Sequence, residues 1–567
     1  MKIEMNAKLL VLCSLFGIFG AQTQIIAQDK KEGNIQNDDI ILEKERKIVL
    51  QPQISRNFEP LSEIENNQKG RKMKYEFFDR RWESTNKTIL TTSVIGPRTG
   101  DELVSAFGPK FKNLVKIGAG NFGHTVLNGH FGFNYKDNQF NGVYINHDVN
   151  RRGPIAGTNS GRNENEVKAY SKTFTGQYLL DGQISFRRIG NNYYGRNERI
   201  FDGVGTIRDL GIIYNRFNYS GSISNAKKDA KFDYIAASGL TYLSTNYNTR
   251  EWVWDSKIQS ILHVTDNLSA YLVGEMNMSE NTFGQTNRRE LYRIKPSFLY
   301  KNNRLSVSAG INIANEKDKL LGLNKTRLFP IFKLDVKPTD FIHVFVGLGG
   351  ETFFNTLNQF ASENNWMAQQ VNLRNTVQSS NIYGGVKGSN ERNLDFEMKV
   401  SYSEFSDLAF YVPASDSTRF NIAYAGGNKK VQVLNLSGQF NYQTFDKVLS
   451  IIKVDYNQFT NINIADGKAI SKPLLSLSFT NSITFKDKII ISPDLFYVGG
   501  LYGLSSKTGQ SVKMDDIIDL NLKINYLITK KFNVSVSANN LLDKEYERYL
   551  NYAAQGLNYT VGLAYSF

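Results

Sequence analysis

About 22 short segments in which apolar and polar residues alternate follow one another along this chain, joined in turn by long and by very short connections. The last of them ends on an aromatic residue, Phe567. Successive side chains of a strand point to opposite faces, so each segment builds a sheet that is wet on one side and apolar on the other. Long connections at every second junction collect at one end. The pattern predicts an all-β fold: a large closed antiparallel transmembrane β-barrel of about 22 strands, an even number, over residues 113–567.

The alternation is clearest in a few strands. Leu394, Phe396, Met398, Val400 and Tyr402 share one face of 394–403, and Asp395, Glu397, Lys399, Ser401 and Ser403 share the other. Ile518, Leu520, Leu522, Ile524 and Tyr526 oppose Asp519, Asn521, Lys523 and Asn525 in the same way. A Lys or Arg turned to the bilayer midplane costs about 2–4 kcal/mol, so the polar ladder is expected to face the lumen. Asp395, Glu397, Lys399, Asp519, Asn521 and Lys523 are the candidate lumen-lining residues. Closure follows from the same physics, because an open sheet edge in hydrocarbon leaves unpaired backbone groups. The segments 140–147 and 210–223 alternate poorly.

Short reversals are expected at Lys136-Asp137-Asn138-Gln139, Thr265-Asp266-Asn267, Lys301-Asn302-Asn303, Lys337-Pro338-Thr339-Asp340, Ser389-Asn390-Glu391-Arg392, Lys486-Asp487-Lys488 and Ile528-Thr529-Lys530-Lys531. Each is rich in residues that suit tight turns. Longer polar stretches lie at 148–166, 189–206, 279–289, 315–327, 351–379, 404–430, 458–473, 499–515 and 541–556. Short turns belong at the periplasmic rim and long loops outside.

The N-terminus bounds the compartment. Lys2 and Lys8 flank the apolar run Leu9 to Ala21, and Ala27 precedes Asp29, Lys30 and Lys31. This pattern is a secretory signal peptide, 1–27, cleaved after Ala27. The single cysteine, Cys13, lies inside it, so the exported chain carries neither thiol nor disulfide. Residues 28–112 differ from the rest of the exported chain: they hold the mixed-charge stretch Asp38 to Lys47, four prolines (Pro52, Pro60, Pro97 and Pro109) and little sustained periodicity. They are expected to form a periplasmic or lumen-entering extension. Its apolar patches, Ile40-Ile41-Leu42 and Ile48-Val49-Leu50, suit either strand addition to a partner or packing against the barrel floor.

A mean hydropathy of −0.38 and the lack of an 18-residue apolar run after Ala27 exclude a helical membrane protein but not a barrel, half of whose spanning residues face water. The 29 Tyr and 37 Phe suit aromatic belts at two membrane interfaces. The formal charge of +14 comes without a basic helix or a block of like charges. It is read as dispersed over loops and lumen, with contact to outer-membrane lipid headgroups as its functional version and no nucleic-acid partner. Three of the five histidines, His124, His130 and His147, lie close in sequence, with His263 and His343 beyond, yet their spacing is not that of metal ligands. No nucleotide-binding glycine pattern is present; Gly118, Gly120, Gly347, Gly349 and Gly350 belong to strands, where glycine eases curvature. No catalytic residue, cofactor or metal is assigned.

The C-terminal segment Val534 to Tyr546, with Asn539-Asn540-Leu541-Leu542-Asp543-Lys544-Glu545-Tyr546, followed by Gly556 to Phe567, resembles the closing two strands of TonB-dependent receptors. Members of that family carry an Asn-Leu-Phe-Asp-Lys-x-Tyr signature there, and Leu542 stands where Phe is common. The resemblance implies a Gram-negative outer-membrane barrel of transport type. Residues 28–112 are too few for the family's full plug domain and show no energy-coupling box. The stretches Arg46 to Glu59 and Lys116 to Gly123 resemble a plug-less branch of Bacteroidota type, which leaves TonB-driven import unassigned.

Two functions remain open: a transporter, channel or receptor for a solute, and a scaffold that holds envelope partner proteins through residues 28–112 and the long loops.

Overall fold

The computed structural model describes residues 113–567 except 134–137, 156, 177, 196–210, 226–230, 284, 340, 391–392, 415–417, 445–446, 487 and 530. The expected signal peptide and the 28–112 extension lie outside the described residues.

The alternating segments form one 22-stranded antiparallel sheet. It closes on itself: Leu114–Gly120 of the first strand pairs with Thr560–Ser566 of the last, and Asn113 and Phe567 exchange backbone hydrogen bonds of 3.1 and 3.0 Å. Closure removes every edge, which a hydrocarbon environment requires. Along Leu394–Ser406 the outward residues Met398 and Val400 are 43% and 45% exposed, while Lys399 and Ser401 between them are buried. The weakly alternating segments 140–147 and 210–223 belong to the strands Gln139–Asn150 and Gly211–Asn225. Six of the seven anticipated reversals fall between strands or at their ends; at the seventh, Lys337-Pro338-Thr339 still belong to the strand Leu323–Thr339, whose register shifts after Val336. Three further pairs of consecutive strands are closely spaced, Thr175 to Tyr178, Asn225 to Phe232 and Thr444 to Val448.

The five glycines placed in strands are in strands. One of them, Gly347, and one other, Gly142, take rings on the wall: Tyr383 covers Gly347 and Tyr170 covers Gly142, so closely that a Cβ on either glycine would overlap the ring.

Two expected loops are corrected. The stretch 279–289 is strand almost throughout, because Leu268–Phe283 and Gln285–Lys301 are separated by one residue. Most of 315–327 is strand as well, in Leu305–Asp318 and Leu323–Thr339. The polar residues there pair across the ladder, Glu280 opposite Arg288 and Asn281 opposite Asn287, on hairpins where the wall extends into water. Polarity in these segments reports solvent and not the end of the strand.

The strict alternation of long and short connections also fails. At the rim of long loops the first and fourth connections are only 121–123 and 246–249. The longest described ones, 354–375, 407–430, 461–474, 500–516 and 540–557, come from the second half of the chain.

Candidate functional site

These five loops fold together into a dome at the barrel mouth. Its centre is the helix Leu357–Glu363. At seven residues the helix is too short to persist alone, so it depends on what surrounds it. The Thr356 hydroxyl caps it by accepting from the Gln359 N–H at 3.1 Å. The buried carboxylate of Glu251, at the top of the wall strand Arg250–His263, accepts the N–H groups of Leu357 at 3.0 Å and Asn358 at 2.7 Å. Donors that a helix start leaves unpaired are thereby satisfied from the barrel wall. Leu357, Phe360 and Ala361 are buried in a cluster with Tyr193, Ile212, Tyr214 and Leu243 of the opposite side.

The loop after the thirteenth barrel strand crosses the mouth. Tyr193, beyond the end of the fifth strand, donates its hydroxyl to the Met367 carbonyl at 2.8 Å, and the Trp366 indole donates to the Asn192 carbonyl at 3.0 Å. Strands so far apart around a 22-strand ring meet only across the opening. Further ties run from Thr249 to the Gln369 carbonyl at 3.1 Å and from Arg289 to Asn355 and Asn375 at 2.5 and 3.1 Å. Below them Lys295 reaches Glu351 at 2.5 Å and Arg293 reaches Glu275 at 3.1 Å.

Aromatic rings fill the remaining space. Trp366 lies 4.2 Å from Tyr552 and meets Tyr194 edge-on at 5.7 Å; Tyr549 contacts Tyr411, Phe420 and Trp366. Tyr194 donates to the Ala553 carbonyl at 2.9 Å, and the Tyr552 hydroxyl to that of Thr418. Ring packing of this kind contributes area burial plus about 0.5–1.5 kcal/mol per pair.

Four loops converge on one buried polar group. The Tyr411 hydroxyl donates to Glu363 at 2.6 Å, and the Arg548 guanidinium donates to the Ser471 carbonyl at 3.2 Å beside Lys472, whose ammonium lies 5.3 Å from the Phe410 ring centroid. Burial pushes the Lys472 ammonium down to about 7, the Glu363 attraction acting against it and the Arg548 charge adding to it. Burial likewise raises the Glu363 carboxyl, against the opposing pull of Tyr411, Lys472 and Arg548. The Tyr411 hydroxyl is raised by burial and by Glu363.

The six residues expected to line the lumen do not gather into one site. Asp519 is fully buried and accepts from the Tyr546 hydroxyl at 2.9 Å. Asn521 accepts from the Asn540 N–H at 3.0 Å. Lys523 lies opposite Ser492 and Ser537. On another part of the wall, Lys399 is buried with its ammonium 4.2 Å from the Tyr383 ring centroid, Glu397 lies between Lys387 and Gln439, and Asp395 between Ser389 and Asn441. Each histidine has a nearby partner: His124 with Thr560 and Asp148, His130 with Tyr170, His147 with Asn165, His263 with Ser269, and His343 with Asp335. Among the described residues no three His, Cys, Asp or Glu side chains are grouped as a metal site.

Sequence reasoning missed Glu251, Arg289, Glu363, Tyr411, Lys472 and Arg548. The only available signal was tyrosine density within stretches read as polar loops, as in Tyr549 and Tyr552.

The chain matches no protein-family model and no curated protein by sequence. Its structure is similar to the FrpB iron transporter from Neisseria meningitidis, with TM-score 0.65, 9% identity, and coverage of 82% of this chain and 84% of that one. The fold is that of the 22-strand TonB-dependent receptor barrel. The siderophore receptor PirA from Acinetobacter baumannii aligns with TM-score 0.61 and 11% identity over 80% of each chain. The ferric-catecholate import receptor Fiu from E. coli K12 aligns with TM-score 0.61 and 8% identity, covering 81% of this chain and 82% of its own. At these identities it is the architecture that is shared.

Proposed function

We propose that this protein is an outer-membrane receptor or transporter for a solute, with its external mouth shut in the resting state. The observation that carries this reading is the loop 354–375, tied to both sides of the mouth and sealed by the aromatic cluster. The fold it shares with the iron transporter, the siderophore receptor and the ferric-catecholate import receptor supports a transport role. In this reading Asp395, Glu397, Lys399, Asp519, Asn521 and Lys523 line the path below the dome, and residues 28–112 form a periplasmic or lumen-entering extension. The likeness of 46–59 and 116–123 to plug-less Bacteroidota barrels is part of the same proposal, as is a membrane setting in such a bacterium.

The closed mouth also favours a second reading, a scaffold with an occluded lumen that binds envelope partners. Planar-bilayer recording of the full chain and of a variant lacking 354–375 separates the two. The gated transporter gives small or silent insertions that become large conductance steps when the loop is removed. Large steps from the unaltered chain overturn the shut mouth, and silence from both proteins, with partners recovered on isolation from native membranes, favours the scaffold.

A further inference from the structure

The inner wall beneath the dome holds a guanidinium two of whose nitrogens meet no acceptor among the described residues. Arg216 on Gly211–Asn225 is 4% exposed, and its Nε and Nη2 have no hydrogen-bond partner among the described residues. Register explains why. On one flanking strand its direct neighbour is Arg187, another cation, and on the other it is Leu243, fully buried and apolar. Its nearest described company on its own strand is the Tyr214 ring, whose centroid lies 5.7 Å from the guanidinium carbon.

The nearby carboxylate is already taken. Glu164 is shared between Arg162 Nη2 at 2.7 Å and Arg187 Nη2 at 2.6 Å, and the Nε of Arg187 is also left without an acceptor. Glu166, opposite Arg187, and Asp148, opposite Glu164, bring the carboxylates to three against three arginines, so what the described residues lack is not charge but acceptors aligned with the Nε and Nη2 of Arg216 and the Nε of Arg187. Two like charges directly opposite on adjacent strands repel, and buried donors left without acceptors are costly. A planar or tetrahedral oxyanion offers the missing acceptors, and guanidinium groups bind such anions through parallel N–H donors.

We propose that Arg187 and Arg216 form an anion-binding site on the inner wall, taking the carboxylate or phosphate group of a solute. The proposal rests on the reading of the protein as a solute receptor or transporter and names the charge class of that solute. Entry is through Arg187, whose side chain is 32% exposed; Arg216 completes the site when the two side chains turn toward the anion.

The test uses the full-length protein in detergent, with the midpoint of heat-dependent gel mobility measured in inorganic phosphate, acetate or chloride at matched ionic strength. The unaltered chain is expected to show a higher midpoint in phosphate or acetate than in chloride. Arg216→Met is expected to abolish that difference and to raise the midpoint in chloride, because it removes the unmet buried donors while keeping most of the side-chain volume. Arg188→Gln, on the outward and exposed side of the strand Tyr178–Asn192 that carries Arg187, is expected to keep the difference. Should Arg216→Met not assemble, Arg187→Gln provides the second reading, with loss of the anion effect expected. Equal midpoints in all three salts overturn the site and mean that water alone meets these donors. An anion effect that survives in Arg216→Met, or in Arg187→Gln where that variant is the one read, overturns it too. Failure here leaves bilayer conductance unchanged, whereas failure of the transport reading appears there first.

Discussion

The barrel wall and the loop dome are built from the same chain by different rules. In the wall, Lys399 is buried and its neighbours Met398 and Val400 are exposed because each strand separates water from lipid. In the dome, Phe360, Tyr411 and Tyr549 are buried by partners from other loops, at sequence distances set by the topology alone. A local periodic constraint makes the wall redundant over many residues. The dome has no such redundancy, and single residues hold several segments at once: the Glu251 carboxylate holds Ser279 and the helix start, and Glu363 accepts Tyr411 on its carboxylate and Tyr549 on its main-chain carbonyl.

Substitutions that uncouple the two regions sharpen this contrast. The largest effect is expected from Phe360→Ala, which empties a fully buried ring position and costs about 3–5 kcal/mol. Limited proteolysis from outside intact cells should then cut within 354–375, while heat-dependent gel mobility stays that of an assembled barrel. A variant that loses both would show that wall and dome fold as one unit.

Ile258→Arg acts on the other region. Ile258 is 61% exposed on the wall, and a lipid-facing Arg costs about 2–4 kcal/mol near the midplane. Its unfolding midpoint in urea should fall without any new cleavage in the loops.

Glu251→Gln is expected to be milder, about 1–3 kcal/mol, because an amide still accepts one of the two helix N–H groups but sets its own N–H against the other. Hydrogen exchange at Leu357 and Asn358 should rise while the wall amides remain protected. Unchanged exchange would show that the aromatic cluster alone holds the helix.

The smallest expected effect is on pH dependence. Lys472 titrates near 7 in the closed dome and near 10.5 when exposed, so between these values the open state binds more protons. The contribution of Lys472 to dome stability therefore grows as pH rises from 7 and is lost as pH falls through 7. The raised Glu363 carboxyl acts in the opposite sense, favouring the closed dome as pH falls below its shifted value. Protection of 354–375 from protease is expected to increase from pH 7 to 9, and Lys472→Met should flatten that slope. A slope that persists in the variant would assign it to another group.

The strands around Asp395 and Asp519 were legible because alternation over ten residues leaves one consistent assignment of faces. The misreading of 279–289 has the opposite cause: Glu280 and Arg288 are exposed on one face, and on the other the polar Ser279 and Arg289 are buried against the dome, so neither face carries the apolar residues that mark a strand. The dome offered less. Tyr193 and Met367, or Ser471 and Arg548, meet across 174 and 77 residues, and nothing in either local stretch names the other.

Composition and period-two patterning by themselves determined that this chain makes a closed barrel with one wet and one greasy face, since a bilayer penalises every misplaced charge at its own position. Only the tertiary structure decided that the mouth is shut, which loops shut it, and that Arg216 is left facing Arg187. These depend on which distant residues arrive at the same place, and a hydrogen bond or a ring contact has no sequence period to announce it.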